Sequence, residues 1–192
     1  MLTGDKHRIK SALASVGLDI DDIYDLVNSN KSYPSAIPVL LDLLNEGVDD
    51  ARLKEGLVRA LAVKEANGKT GTVLIAVYNR LPKEKMGLRW AIGNTLYKTI
   101  GENDLEGVLS IVRDKENGTS RQMFVMALGK MKGEKIEDVL IGLLDDDDVM
   151  THAMEALGKL KSKRAKEKIE TLSIHSSAFV RKEAQKALKR IS

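Results

Sequence analysis

Four consecutive carboxylates close to a histidine are the first residues in this sequence whose types suggest chemistry. Asp145 to Asp148 precede His152 in the stretch DDDDVMTHAMEALGKL. A metal site needs three or more converging ligands, but the chain has neither EF-hand spacing nor a His-Glu-x-x-His or His-x-x-Glu-His pair. The structural interpretation is that Asp147 or Asp148 caps the following helix, where the helix dipole favours negative charge. We therefore expect no metal and no cofactor.

Other motifs of catalysis are incomplete. The stretch NGKTGT, residues 67–72, resembles the end of a phosphate-binding loop, but Val63 stands where that loop needs its first glycine. A helical pattern precedes it instead of a strand, so we expect a loop between helices. The chain has no Gly-x-Ser-x-Gly elbow, and its three histidines (His7, His152 and His175) lie on separate predicted elements. The sequence therefore favours a protein that is not an enzyme.

The composition indicates a folded domain with no means of crossing a membrane. Of the 192 residues 43% are hydrophobic and none is cysteine, which excludes disulfides, thiolate zinc sites and cysteine nucleophiles. No apolar run reaches the roughly 18–20 residues needed to span a bilayer, and the N-terminus lacks the apolar run of a signal peptide. We expect a cytoplasmic protein with no membrane partner.

The charge is unevenly distributed along the chain. The net charge is +3, but residues 158–192 contain eleven Lys or Arg against three Glu. A basic segment of this kind fits a phosphate backbone or an acidic protein surface, and it also fits a solvated pair of end helices.

A pattern recurs five times and defines the elements that must position these residues. The segments ARLKEGLVRALAV, MGLRWAIGNTLYK, GTSRQMFVMALGK, DDVMTHAMEALGK and AFVRKEAQKALKR superpose without gaps. Their shared leucines are Leu61, Leu96, Leu128, Leu157 and Leu188, at spacings of 35, 32, 29 and 31 residues. Apolar or small residues four and eight positions before each leucine complete one stripe of a helix, with Ser120 as the polar exception.

A second amphipathic helix precedes each of these segments, as in PSAIPVLLDLLNE and KIEDVLIGLL, and turn-forming residues separate the helices. No segment alternates with period two, so we expect no strands. Helix pairs that repeat about every 30 residues bury their apolar faces only by stacking on one another. The expected fold is all-α: a right-handed α-solenoid, one continuous domain of five helix pairs, at approximately residues 34–66, 69–101, 103–132, 134–161 and 163–192. Residues 1–33 are expected to form a helical cap or a degenerate repeat.

The pattern resembles the HEAT repeat family, in particular its short bacterial form with PBS-lyase-type repeats. AIPVLLDLL is similar to the first helix of that repeat, and DDDDVMTHAMEALGKL to its linker and second helix. The arginine of the family motif is matched by Arg89, Arg121 and Arg181, loosely by Lys54, and is replaced by Met150. The resemblance covers about residues 34–192 and implies the solenoid fold, but the family carries many functions. HEAT-like enzymes include DNA glycosylases and lyases; Trp90 and Arg89 are present here without a motif that transfers such roles.

The resemblance also implies that the second helices line a concave groove. Positions two before, two after and five before each shared leucine lie opposite the buried stripe. They place a row of basic residues there: Lys98, Lys130, Lys159 and Arg190. They also place an apolar patch there: Ala91, Met123 and Met126, with Trp90 beside them. We expect the patch to bind a protein partner and the basic residues to steer an acidic one. Nucleic-acid binding through the basic row is the alternative, and Met123 and Trp90 could instead belong to the core between repeats.

Overall fold

The computed structural model describes residues 2–192, with side chains from residue 4 onward, and this part of the chain consists of helices and turns. The all-α prediction is confirmed, since no strand occurs among these residues. No helix in the described range is long and apolar enough to cross a bilayer. The twelve α-helices found there are α1 (Leu2–Ala14), α2 (Tyr24–Val27), α3 (Ala36–Glu46), α4 (Ala51–Ala60), α5 (Gly71–Arg80), α6 (Met86–Thr99), α7 (Leu105–Arg113), α8 (Gln122–Leu128), α9 (Glu134–Gly142), α10 (Met150–Leu160), α11 (Lys166–Leu172) and α12 (Ala178–Ile191).

The chain forms two compact units that divide between Asp104 and Leu105. The first unit contains α1 to α6 and the second contains α7 to α12. The division falls at the start of the third predicted repeat, so each unit is built from helix pairs. The finer boundaries of the cap and the repeats stay predictions.

In each predicted repeat the first helix packs on the second helix that follows it in the sequence. In the first unit α3 packs on α4 and α5 on α6, and in the second unit α7 packs on α8, α9 on α10 and α11 on α12. Second helices also contact each other within a unit, α4 with α6, α8 with α10, and α10 with α12. Residues 2–33 supply α1, which packs on α3, and α2, which packs on α4.

The predicted apolar stripe is buried. Leu61, Leu96, Leu128 and Leu157 are completely buried, whereas Leu188, in the last helix, is half-buried. The residues four and eight positions before the shared leucines are all buried as well: Leu57, Ile92, Phe124, Ala153, Ala184, Leu53, Leu88, Ser120, Val149 and Val180. Burial of these side chains supplies the main stabilisation of each unit.

Small residues let the second helices of the second unit approach closely. A Cβ atom added to Gly129 on α8 would lie 2.8 Å from the Cα of Ala156 on α10. A Cβ added to Gly158 on α10 would lie 3.1 Å from the Cα of Ala187 on α12. The two close approaches are where α8 packs on α10 and where α10 packs on α12.

The stretch NGKTGT is a loop between helices, as predicted. Residues 67–70 follow a 3-10 turn at Lys64–Ala66, and the last two residues of the stretch, Gly71 and Thr72, begin α5. Gly68 has a φ of +70° and its N–H donates to the carbonyl of Thr99 at 2.8 Å. The hydroxyls of Thr70 and Thr99 are 2.6 Å apart and buried, so this loop is fastened to the end of α6.

Candidate functional site

The acidic loop forms an internal ion pair. Arg121 is fully buried, and its guanidinium donates to both oxygens of Asp146 at 3.0 and 3.2 Å. Asp148 is 3.5 Å from the same guanidinium. The helix-capping prediction is wrong, because Val149 occupies the N-cap of α10 and no side chain accepts a bond there. The carboxylates of Asp146 and Asp148 face the buried arginine of the preceding helix pair instead.

The carboxylate of Asp146 is kept ionised by its partners. Burial opposes its charge, but hydrogen bonds from Arg121 and the positive charge of that side chain outweigh it and hold the pKa of Asp146 below its usual value. The backbone N–H of Asp148 also donates to Asp146, at 3.2 Å. Asp145 binds Lys168 at 2.6 Å. Among residues whose side chains are described, no three His, Cys, Asp or Glu side chains are arranged to hold a metal.

The three arginines that match the HEAT pattern have one structural role in common. Each donates to a backbone carbonyl between the last turn of the first helix of its pair and the start of the second. Arg89 donates to the carbonyl of Leu81 at 3.0 Å, Arg121 to that of Val112 at 3.1 Å, and Arg181 to that of His175 at 2.7 Å. The last carbonyls of a helix have no partner within it, so Arg89 and Arg121 complete the bonding at the ends of α5 and α7, whereas Arg181 bonds the linker between α11 and α12.

A cavity of about 330 Å³ opens between the second helices of the first unit. Its lining includes five residues at the predicted groove positions: Arg59, Val63, Ala91, Asn94 and Lys98. Trp90, Ala62 and Thr95 add to this wall, and Val27, Ser29 and Tyr33 close it from the N-terminal segment. Sequence reasoning missed the last three, because they precede the first repeat and have no equivalent in the repeat alignment.

The cavity offers apolar, amide and cationic groups side by side. Trp90 is 42% exposed, and the sequence contains no other tryptophan. Within residues 4–192, Asn94 and Lys98 have no side-chain hydrogen bond or ion pair. Arg59 is paired with Glu55 on the same helix at 2.7 Å.

Tyr33 fixes one wall of the cavity. Its hydroxyl donates to the carbonyl of Ala60 at 2.8 Å, which ties the N-terminal segment to the end of α4. Burial, and secondly the charge of Glu65, raise the pKa of the Tyr33 phenol. The hydroxyl is therefore a structural hydrogen-bond donor that keeps its proton at neutral pH.

The structure corrects the predicted apolar patch. Ala91 is 1% exposed and Met126 is 6% exposed, so these two side chains are buried, although Ala91 still borders the cavity. Met123 is half-buried and Trp90 is exposed. Counting from the shared leucines takes each helix by itself, whereas α8 also packs on α10, with Gly129 close against Ala156.

The basic residues of the second unit lie at the surface. Lys130, Lys159 and Arg190 are exposed, as is Lys98 in the first unit. Lys159 is paired with Glu155 at 3.0 Å, which lowers the net charge of that part of α10. Binding of a partner by these residues stays a prediction.

Comparison with known proteins supports the repeat assignment. Residues 105–189 match the family model of HEAT repeats. No curated protein matches the sequence. The chain is similar to an engineered protein of the Northeast Structural Genomics Consortium, with 21% identity, a TM-score of 0.55, and coverage of 98% of this chain and 96% of the other. It is also similar to a designed armadillo repeat protein in complex with the peptide (KR)4, with 19% identity, a TM-score of 0.57, and coverage of 100% and 91%. At these identities the likeness concerns the fold, and the predicted α-solenoid class is confirmed.

Proposed function

We propose, from the premise that residues 105–189 of this α-solenoid are HEAT repeats, that the protein is a non-enzymatic scaffold or adaptor that binds a segment of a protein partner. The binding site is the cavity of the first unit, which α4, α6 and the N-terminal segment form together. The solenoid fold suits this function because stacked helices present an extended surface without needing a catalytic centre.

One observation carries the proposal. The cavity combines a half-exposed indole with an unpaired amide and an unpaired ammonium group, those of Trp90, Asn94 and Lys98. Tryptophan is enriched where binding energy concentrates at protein interfaces, and polar groups beside it fix the orientation of a ligand. A volume of about 330 Å³ suits a few side chains of a bound segment.

The partner of the designed armadillo neighbour is not transferred to this chain. That protein is in complex with the peptide (KR)4, which is basic. The cavity described above is lined by Arg59 and Lys98, and these charges oppose a basic ligand.

Nucleic-acid binding is the second candidate, and the exposed Lys98, Lys130, Lys159 and Arg190 favour it. Several basic side chains of the C-terminal region are paired with carboxylates, however. Arg164 binds Asp138 at 2.6 Å and Lys168 binds Asp145 at 2.6 Å. Such pairing reduces the charge available to phosphates, so we rank this function second.

An enzyme is the third candidate, and we consider it the weakest. A role for Arg89 at a reacting centre needs an accessible guanidinium. Arg89 is only 3% exposed, and its guanidinium carbon lies 3.9 Å from the centre of the Tyr78 ring. It belongs to the packing of α5 and α6.

The proposal is tested by selecting octapeptides from a random display library on the folded protein. Selected peptides are then titrated while the emission of Trp90 is recorded. We expect a change in emission on binding, and at least tenfold weaker binding to Trp90→Ala when labelled peptides are followed by anisotropy. Met86→Ala is the matched control, because Met86 is 41% exposed one turn earlier on α6 and does not line the cavity.

The same anisotropy assay with labelled duplex DNA tests the second candidate. Tight binding at about 50 mM salt that collapses at about 200 mM salt would place nucleic acid first. The proposed function would be overturned if no peptide were selected. It would also be overturned if the Trp90→Ala and Met86→Ala proteins bound the selected peptides equally well.

A further inference from the structure

The charge of the cavity in the first unit points to an acidic ligand. Of the described residues that line it, two are basic, Arg59 and Lys98, and none is acidic. The charge of Arg59 is partly balanced by Glu55, 2.7 Å away on the same helix. Lys98 is exposed and lacks such a partner, so it is the group with charge left for a ligand carboxylate.

The helix α6 sets the spacing of the two contact residues. Trp90 and Lys98 are eight residues apart on the same helix, α6, and both line the cavity. At a rise of 1.5 Å per residue, their Cα atoms are separated by about 12 Å along the helix axis. An extended peptide advances about 3.3 Å per residue, so about 12 Å corresponds to three or four residues of a bound segment.

We infer that the cavity selects an acidic protein segment in which an apolar side chain and a carboxylate lie three or four residues apart. The apolar side chain packs on the indole of Trp90 while the carboxylate pairs with the ammonium group of Lys98. This inference rests on the proposed function and adds the chemistry and spacing of the ligand to it. The segment can run in either direction, since the two contacts define a distance and not a polarity.

A buried hydrogen bond holds α6 against α4. Thr95 lies between the two contact residues, is 1% exposed, and donates its hydroxyl proton to the carbonyl of Val58 at 3.0 Å. This bond fixes α6 against α4, so α6 presents Trp90 and Lys98 to the cavity in one orientation, and the helix itself sets the separation of their Cα atoms.

The experiment compares octapeptides selected from the same random library on the wild-type protein, on Lys98→Glu and on Lys69→Glu. Lys69→Glu makes the same change in net charge at an exposed lysine outside the cavity, so it separates a local effect from a general one. Folding of each protein is checked by circular dichroism, and the emission of Trp90 reports whether a peptide occupies the cavity.

We expect wild type and Lys69→Glu to enrich peptides with an apolar residue and an Asp or Glu three or four positions apart. Replacing that acid by its amide should weaken binding about fivefold, and Lys98→Glu should lose the preference for an acid.

Two outcomes would overturn the inference while leaving the proposed function intact. One is enriched peptides that perturb Trp90 but contain no acid at this spacing. The other is an acid preference that survives in Lys98→Glu. Absence of any enriched peptide would overturn the proposed function itself, and this inference with it.

Discussion

Arg121 and Asp146 form a buried, two-point ion pair, with nitrogen–oxygen distances of 3.0 and 3.2 Å, that joins two successive helix pairs of the second unit. The arginine is the N-cap residue of α8 and the aspartate lies in the loop before α10. The same guanidinium also donates to the carbonyls of Val112 and Gly118, at 3.1 and 3.0 Å. A single side chain therefore holds together the end of α7, the turn before α8 and the loop of the next pair.

Removing Asp146 should strongly destabilise the second unit. Asp146→Ala leaves a guanidinium that is completely buried without its carboxylate, and breaking such a pair costs about 3–5 kcal/mol. Urea unfolding followed by circular dichroism measures the change. Asp147→Ala is the control, because Asp147 is exposed in the same loop and its loss should change the free energy of unfolding by less than about 0.5 kcal/mol. Equal effects of the two substitutions would contradict the assigned role of the pair.

Leu157→Ala should cost about 2–5 kcal/mol, because the side chain is completely buried in α10, which packs on both α8 and α12. Leu188→Ala removes the equivalent leucine of the last repeat, which is half-buried, and should cost less. The free energies of unfolding of the two variants give the comparison. A cost below about 1 kcal/mol for Leu157→Ala would mean that the repeat register is wrong.

Gly129→Ala should destabilise the contact between α8 and α10. Its new Cβ would lie 2.8 Å from the Cα of Ala156, so the two helices must move apart, at a cost of about 1–3 kcal/mol. Gly142→Ala is the matched control: both glycines have right-handed helical backbone angles, and a Cβ at Gly142 meets nothing within 4 Å. The control should be neutral or should stabilise by up to about 1 kcal/mol, because alanine restricts the unfolded chain more than glycine does. Thermal melting of both variants decides the matter, and a stable Gly129→Ala protein would argue against the close packing of these helices.

Stability should decline with mild acid through His152. Burial lowers the pKa of this imidazole below 6.5, and the charges of Glu155 and Glu183 oppose the shift only in part. Because the folded state binds the proton more weakly than the unfolded state, stability present above about pH 6.5 is lost as the pH falls through the lowered value.

Unfolding free energies at about pH 7 and pH 5.5, for wild type and His152→Gln, measure this dependence. The variant should lose less stability between the two pH values. An identical decline in both proteins would assign the dependence to other groups.

The repeat pattern was sufficient to predict the elements and the core. Leu96, Leu128 and Leu157 were identified from spacing alone and are completely buried. Periodicity succeeds here because each helix must direct one stripe inward whatever its neighbours are. The loop between helices in this stretch was also predicted correctly and occupies residues 67–70, since a phosphate-binding loop needs a strand and a first glycine that this chain lacks.

The candidate site could be predicted only in part. Arg59, Asn94 and Lys98 were placed on the groove side by counting from the shared leucines, and they line the cavity of the first unit. Met126 was placed on the groove side by the same counting, yet it is buried. Counting along one helix takes no account of neighbouring helices, and α8 packs on α10. The capping role expected of Asp147 or Asp148 was also wrong: the carboxylate of Asp148 lies near the buried guanidinium of Arg121, as that of Asp146 does, and Asp147 is exposed.

The sequence by itself determined that this protein is a stack of helix pairs, which residues form the core, and where its basic residues lie along the chain. Only the tertiary structure decided which groove positions stay open and that Tyr33, far from α6 in the sequence, closes the cavity around Trp90. The physical reason is that a helical stripe depends on residues three or four positions apart, whereas an open cavity depends on how closely separate helices approach.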